Sequence, residues 1–171
     1  MKFLSVFVVL VVLAFSSQAL AQDAWVGKAA PDFEVTDTNG TPYKLSDLAG
    51  DNVVWLNFWG LRCGPCVREL PALEDIYKRY KDKGLIILGI NADGVDSAFI
   101  KKSFDQREDL SAINITFPLI PDVAFSLIDT YELMGAPLNV IIDRKGVVKF
   151  YHEGYEIGDE KQYEEIVKGL L

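Results

Sequence analysis

The 171-residue chain holds two cysteines, one histidine and two methionines. With so few soft ligands, a tetrahedral zinc site cannot be completed from one Cys pair and His152 alone. Cys66 is followed by Val67 rather than histidine, which excludes covalent haem attachment. No metal and no other cofactor is therefore expected. Basic residues are also scarce, 17 against 25 acidic ones, for a net charge of −8. That deficit argues against nucleic acid and anionic membrane surfaces as partners. Internal repeats, low-complexity stretches and linkers are absent.

The one long apolar run lies at the start. Lys2 precedes Phe3 to Phe15, apolar apart from Ser5, and Ala19-Leu20-Ala21 offers a small-x-small cleavage pattern before Gln22. The run is short beside the roughly 20 residues that span a bilayer. Residues 1–21 read as a signal peptide, with an uncleaved N-terminal anchor as the alternative. No cysteine follows the run, so a lipoprotein anchor is excluded. The expected destination is the periplasm or the outer face of the cytoplasmic membrane, where disulfides persist. Residues 22–171 then form one domain, long enough to bury a core without disulfide staples.

Along that domain, Trp25 is a candidate docking residue in the leading segment. Residues 33–45 alternate around the turn Asp37-Thr38-Asn39-Gly40 and predict a β-hairpin. Ser46 to Gly50 reads as one helical turn. Val53–Trp59 and Leu85–Ile90 are apolar and β-prone, as strands covered on both faces are. Between them, Leu70, Leu73, Ile76, Tyr77 and Tyr80 recur at helical spacing, with Pro71 inside the helix and Gly84 closing it. Asp96 to about Leu110 predicts a charged surface helix with Ala98, Phe99 and Phe104 as inward candidates. Ile115–Ile120 predicts a strand broken by Pro118 and therefore short or near an edge. Asp122–Tyr131 reads as a helix. Leu138–Ile142, the turn at 143–146 and Val147–Tyr151 form a hairpin, and Gly158–Leu171 closes the chain as a helix. The alternation gives an α/β fold with a mixed sheet.

The chemistry sits at Cys63-Gly64-Pro65-Cys66, where a strand hands over to a helix. Thiols three apart at a helix start lie on adjacent turns of one face, close enough to bridge. The free N–H groups and the dipole stabilise a thiolate there. Cys63 has the better access and is the expected attacking thiol; Cys66, a turn inside, resolves. So short a loop closes little chain entropy and stabilises the fold weakly. A redox dithiol is favoured, with a structural disulfide and a metal site as the other readings.

These residues carry a resemblance. Leu56-Asn57-Phe58-Trp59-Gly60, the CxxC and Arg68-Glu69-Leu70-Pro71 form its first part, and Tyr131 to Pro137 followed by Ile141 to Gly146 form its second. The chain resembles the exported thioredoxin-fold proteins of the TlpA/ResA-like group, with an AhpC/TSA-Redoxin-type thioredoxin domain. The resemblance implies a thioredoxin fold: a mixed central sheet flanked by helices, an extra N-terminal β-hairpin and a central insertion at about 92–120. It implies a cis Pro137 against the dithiol, with Ala136 backbone free to pair with an extended substrate. It implies that Glu69, near the dithiol, takes up protons during exchange. Trp59 is expected to flank the site and, with Arg62, Ala136 and Pro137, to bind the substrate. Arg62 departs from the group's aromatic residue before the first cysteine; a cation there is expected to lower the Cys63 pKa and to favour acidic or polar substrates.

The function so implied is thiol–disulfide oxidoreduction. Reduction is favoured because Gly-Pro between the cysteines resembles reducing thioredoxins. The expected partners are a disulfide-containing exported protein, apocytochrome c among them, and a membrane thiol–electron donor. Two alternatives stay open: a thiol peroxidase of peroxiredoxin type, against which Gly60-Leu61-Arg62 before Cys63 speaks, and a chaperone-like binding module without turnover.

Overall fold

The computed structural model describes residues 24–171; the leader expected at 1–21 lies outside the described residues. Strands β1 (Glu34–Thr36) and β2 (Pro42–Lys44) pair antiparallel as the predicted hairpin. Its turn is held by Asp37 Oδ1, which accepts from the Asn39 and Thr41 amides, while Gly40 takes φ +88°. The helical turn α1 (Leu45–Leu48) follows.

β3 (Val53–Trp59) is buried along its whole length. It is the middle strand of a five-stranded sheet, order β5-β4-β3-β6-β7. β4 (Leu85–Asn91) runs parallel to it, and β5 (Leu119–Pro121) parallel to β4. On the other side, β6 (Leu138–Ile142) and β7 (Val148–Glu153) continue antiparallel. Side chains alternate across a strand. Val53, Trp55 and Trp59 therefore join one core cluster, under helices α2 (Gly64–Tyr80) and α6 (Asp159–Leu170). Val54, Leu56 and Phe58 join the other, with Phe33, Leu45 and Tyr131. This is the mixed sheet of a thioredoxin fold, with the added hairpin on its second face. Trp25 closes that face, stacking on Tyr131 and Tyr151 at centroid distances of 5.5 and 5.8 Å.

The insertion and the segment after it depart from expectation in three places. The helix predicted over 96–110 is two, α3 (Ser97–Gln106) and α4 (Glu108–Ser111), broken at Arg107. Arg107 takes extended backbone angles while its guanidinium holds Asp109 and the Leu61 carbonyl. In α3 the inward residue is Ile100; Ala98 and Phe99 point outward, and only Phe104 of the three candidates packs on the core. The helix predicted over 122–131 shrinks to α5 (Ser126–Thr130). Asp122 captures the amides of Ser126, Leu127 and Ile128, so the helix starts only there. The strand predicted over 115–120 begins after Pro118, which lacks the amide a ladder needs.

Gly89 in β4 faces Phe117. A Cβ there would lie 2.8 Å from the Phe117 ring and 3.0 Å from a Leu119 methyl. Gly89→Ala is expected to cost about 1–3 kcal/mol by overpacking, read by urea denaturation. Phe117→Leu in the same chain should recover part of that loss; a neutral Gly89→Ala would show that the β4–insertion contact is loose.

Candidate active site

β3 ends at Trp59 and delivers the chain to the dithiol. Cys63 caps α2: its sulfur accepts from the Cys66 amide at 3.3 Å, and Pro65 occupies the first turn. The two cysteines form a disulfide with Cα atoms 5.2 Å apart. Cys63 is partly exposed, whereas Cys66 has no exposed surface. A nucleophile must be reached by substrate and a resolving thiol need not be. The helix start aims the Cys66 amide at the sulfur of Cys63, which favours the thiolate.

The proline loop meets this sulfur. The Ala136–Pro137 bond is cis. Cys63 Sγ lies 3.5 Å from the Ala136 carbonyl oxygen, which its S–H can use as an acceptor in the dithiol state. The Pro137 carbonyl is taken by the Gly154 amide at 2.7 Å, so the loop is anchored from the residue just after β7.

Beneath the dithiol, one turn along α2 from Cys66, lies Glu69 with no exposed surface. Alternation along β3 turns Asn57 to the same face as Trp55 and Trp59, toward α2, and the β3–β6 register sets Asn57 directly opposite Asn139. The Glu69 carboxyl accepts from Asn57 Nδ2 at 2.9 Å and from Asn139 Nδ2 at 2.7 Å. Asn139 Oδ1 in turn accepts from Trp55 Nε1 at 2.9 Å and from Asn57 Nδ2 at 3.0 Å. Trp55 thereby fixes which end of the Asn139 amide faces the carboxyl. Burial pushes the Glu69 pKa from its ordinary 4.5 up to about 8; the two amide hydrogen bonds act the other way and do not overcome it. A carboxyl that titrates close to neutrality, one turn from a buried thiol, can give or take the proton of that thiol.

The structure thus brings Cys63, Cys66, Glu69, Ala136 and Pro137 together. Arg62 is exposed beside Cys63 and makes no ion pair with Glu69, which has no exposed surface. Trp59 requires correction as a substrate-binding residue. It has no exposed surface and packs edge-on to Phe104 at 5.8 Å, so it supports the site from behind and cannot touch a docked chain. Sequence reading missed Asn139, Asp93 and Arg107. Asn57 and Asn139 are lone amides in apolar strands that pair in the sheet, a pattern that marks a buried polar partnership. Asp93 and Arg107 hold the Leu61 backbone from a part of the chain with no local motif.

The raised Glu69 pKa has a defined pH signature. Below about pH 4 the folded and unfolded chains both keep the proton, and the contribution of the group to stability is complete. Between there and about pH 8 only the unfolded chain releases it, so stability falls by about 1.4 kcal/mol per pH unit, then levels off. Glu69→Gln should therefore lose less stability than the native protein between pH 5 and pH 8, the gap reaching about a few kcal/mol in urea titrations. Parallel pH dependences would mean that Glu69 titrates as an ordinary carboxylate.

Comparison with known proteins agrees with this geometry. The AhpC/TSA family matches residues 26–151. A thiol-disulfide oxidoreductase ResA from Bacillus thuringiensis subsp. konkukian is 37% identical over 145 residues, covering 85% of this chain and 78% of that protein. A thiol:disulfide interchange protein of the DsbE type from Chlorobium tepidum has a crystal structure that superposes with a TM-score of 0.74 at 29% identity, over 85% of this chain and 96% of its own. The solution structure of a protein disulfide isomerase from Bacteroides thetaiotaomicron gives 0.75 at 28%, over 85% and 89%. With its cysteine pair capping α2 and a cis-proline loop against it, the chain belongs to the AhpC/TSA family and is a thiol-disulfide oxidoreductase of the ResA-like, thioredoxin-fold group.

Proposed function

We propose that the protein reduces disulfides in exported proteins, with Cys63 as nucleophile and Cys66 as resolving thiol. The observation that carries the reading is the 3.5 Å approach of Cys63 Sγ to the Ala136 carbonyl. It sets the accessible sulfur at the edge where an extended chain can pair with the proline loop. The Cys63 thiolate attacks one sulfur of the substrate disulfide; that S–S bond breaks, and the released thiolate takes a proton. Cys66, deprotonated with the ionised fraction of Glu69 as acceptor, then attacks Cys63 in the mixed disulfide and expels the second substrate thiolate. Two electrons pass to the substrate, and the protein is left with the Cys63–Cys66 disulfide.

Turnover then requires a dithiol donor. A membrane-held thiol donor on the outer face of the cytoplasmic membrane, or in the periplasm, fits an exported chain. The leader at 1–21 supports export, as a cleaved signal peptide or a retained anchor. Among the described residues no helix is long and apolar enough to cross a membrane. Misoxidised apocytochrome c is one substrate that suits the ResA-like group.

Two measurements test this. Cys66→Ala should accumulate mixed disulfides with exported proteins, and Cys63→Ala should accumulate none; the reverse would exchange the two roles. Equilibration with glutathione or dithiothreitol at pH 7 should give a potential below roughly −200 mV, nearer to thioredoxin at about −270 mV than to DsbA at about −120 mV. A value close to that of DsbA would make the protein an oxidant of exported thiols.

A further inference from the structure

The loop leading into Cys63 is braced from outside. The Leu61 amide donates to Asp93 Oδ2 at 2.7 Å, and the Leu61 carbonyl accepts from Arg107 Nη1. The Leu61 side chain is buried. With backbone and side chain both committed, the next residue, Arg62, projects outward and is exposed. On the helix side, exposed Arg68 folds back over the dithiol loop: a Cβ built on Gly64 would lie 3.4 Å from Arg68 Nη1. Arg62, Cys63, Arg68 and Arg107 line one cavity of about 270 Å³. It shares Arg62 and Arg107 with an adjoining cavity of about 420 Å³ that runs on to exposed Phe99.

The charges here are unevenly spent. Arg107 is paired with Asp109 at 2.6 Å, and Asp93 is occupied by Leu61 and by Asn91 Nδ2 at 2.9 Å. Among the described residues, Arg62 and Arg68 have no carboxylate within ion-pair distance. Two free guanidinium groups thus flank the accessible sulfur of a chain whose net charge is −8. At physiological salt the screening length is about 8 Å. A residue docked over Cys63 therefore feels the adjacent arginines and little of the distant acids; the two acids that line the cavities, Asp109 and Asp93, are already engaged by Arg107 and by the Leu61 amide. Guanidinium forks match carboxylates in a bidentate manner that a solvated lysine does not.

We propose that this groove selects protein disulfides whose attacked cysteine is flanked by aspartate or glutamate, with Arg62 and Arg68 receiving the carboxylate as the sulfur meets Cys63. The occupant is an extended acidic segment of the substrate. Two adjoining cavities leading away from the dithiol offer a polypeptide more contact than a small thiol can use. The proposal rests on the disulfide-reducing reading above and adds the substrate class to it.

The test uses three peptides of equal length with the same disulfide, differing only in whether Asp, Ser or Lys stands beside the cysteine. Single-turnover reduction by the reduced protein is measured at pH 7, and each rate is divided by that of dithiothreitol on the same peptide. The expected order is Asp, then Ser, then Lys, spanning about tenfold at low salt and shrinking as salt screens the contact. In the Arg62→Ser/Arg68→Ser variant the three normalised rates should converge. Losing two cations also changes the Cys63 thiolate fraction, but that change affects all three peptides alike and cancels in the ratios. Equal rates in the native protein, with all three peptides reduced, would overturn the docking proposal and leave the oxidoreductase reading standing. An order that survives in the double variant would overturn it too, since the selection would then come from other residues. Failure to reduce any peptide would instead remove the reading on which the proposal rests.

Discussion

A carboxyl group with no exposed surface is costly in a protein core, and the architecture around the dithiol is arranged to hold one. Glu69 lies between the amides of Asn57 and Asn139, and Asn139 is itself oriented by the Trp55 indole. Taking an ionised carboxylate out of water costs several kcal/mol even after relaxation, and two neutral amide donors return only part of that. The group responds by holding its proton up to about pH 8. A side chain that in water would be a permanent anion becomes, here, a proton store.

That store exists only because three elements meet in one register. β3 and β6 must be adjacent and antiparallel, with Asn57 opposite Asn139. α2 must cross the sheet on the face to which odd-numbered residues of β3 point. The same crossing puts the start of α2, and hence Cys63 and Cys66, at the end of the central strand, with the proline loop that precedes β6 against Cys63. A slip of one residue between β3 and β6 would turn Asn139 to the opposite face and leave Glu69 with one amide. The apolar neighbours make such a slip expensive, since Leu138, Val140 and Ile142 would exchange places with Asn139 and Ile141. Packing of bland residues thereby fixes the chemistry of a single acid.

The sequence made the local features legible. The CxxC at a strand–helix junction, the strand Val53–Trp59 and the hairpin at the N-terminal side follow from periodicity and turn residues, and the structure places them within a residue or two of expectation. What was not legible depends on distant contacts. Trp59 looks like a site residue because it is four positions from Cys63, yet strand alternation buries it against Phe104. The helix over 96–110 has no glycine or proline to end it at Arg107; the break comes from where that guanidinium finds its partners. Asp122 looks like the first residue of a helix but holds three amides further on, and the helix begins only when those are satisfied. In each case local propensity was a fair guide until a charged or bulky side chain found a better partner elsewhere in the fold.

The insertion between β4 and β5 is the part of the chain where such contacts accumulate, and they converge on Leu61. Asp93, just after β4, takes its amide; Arg107, between α3 and α4, takes its carbonyl. A residue whose two flanking peptide units are gripped, one at its amide and the other at its carbonyl, cannot rotate about its backbone without losing a charge-assisted bond, each of which is worth about 1.5–3 kcal/mol. The loop between the central strand and the attacking cysteine is short, and rotation there would swing Cys63 away from the Ala136 carbonyl. The helix break falls at Arg107, the residue whose guanidinium holds both Leu61 and Asp109. The insertion acts on the dithiol by holding still the residue two positions before it, through contacts that do not involve the buried acid. Proton supply from beneath and loop restraint from outside are independent constraints on one sulfur, joined only through Cys63 itself.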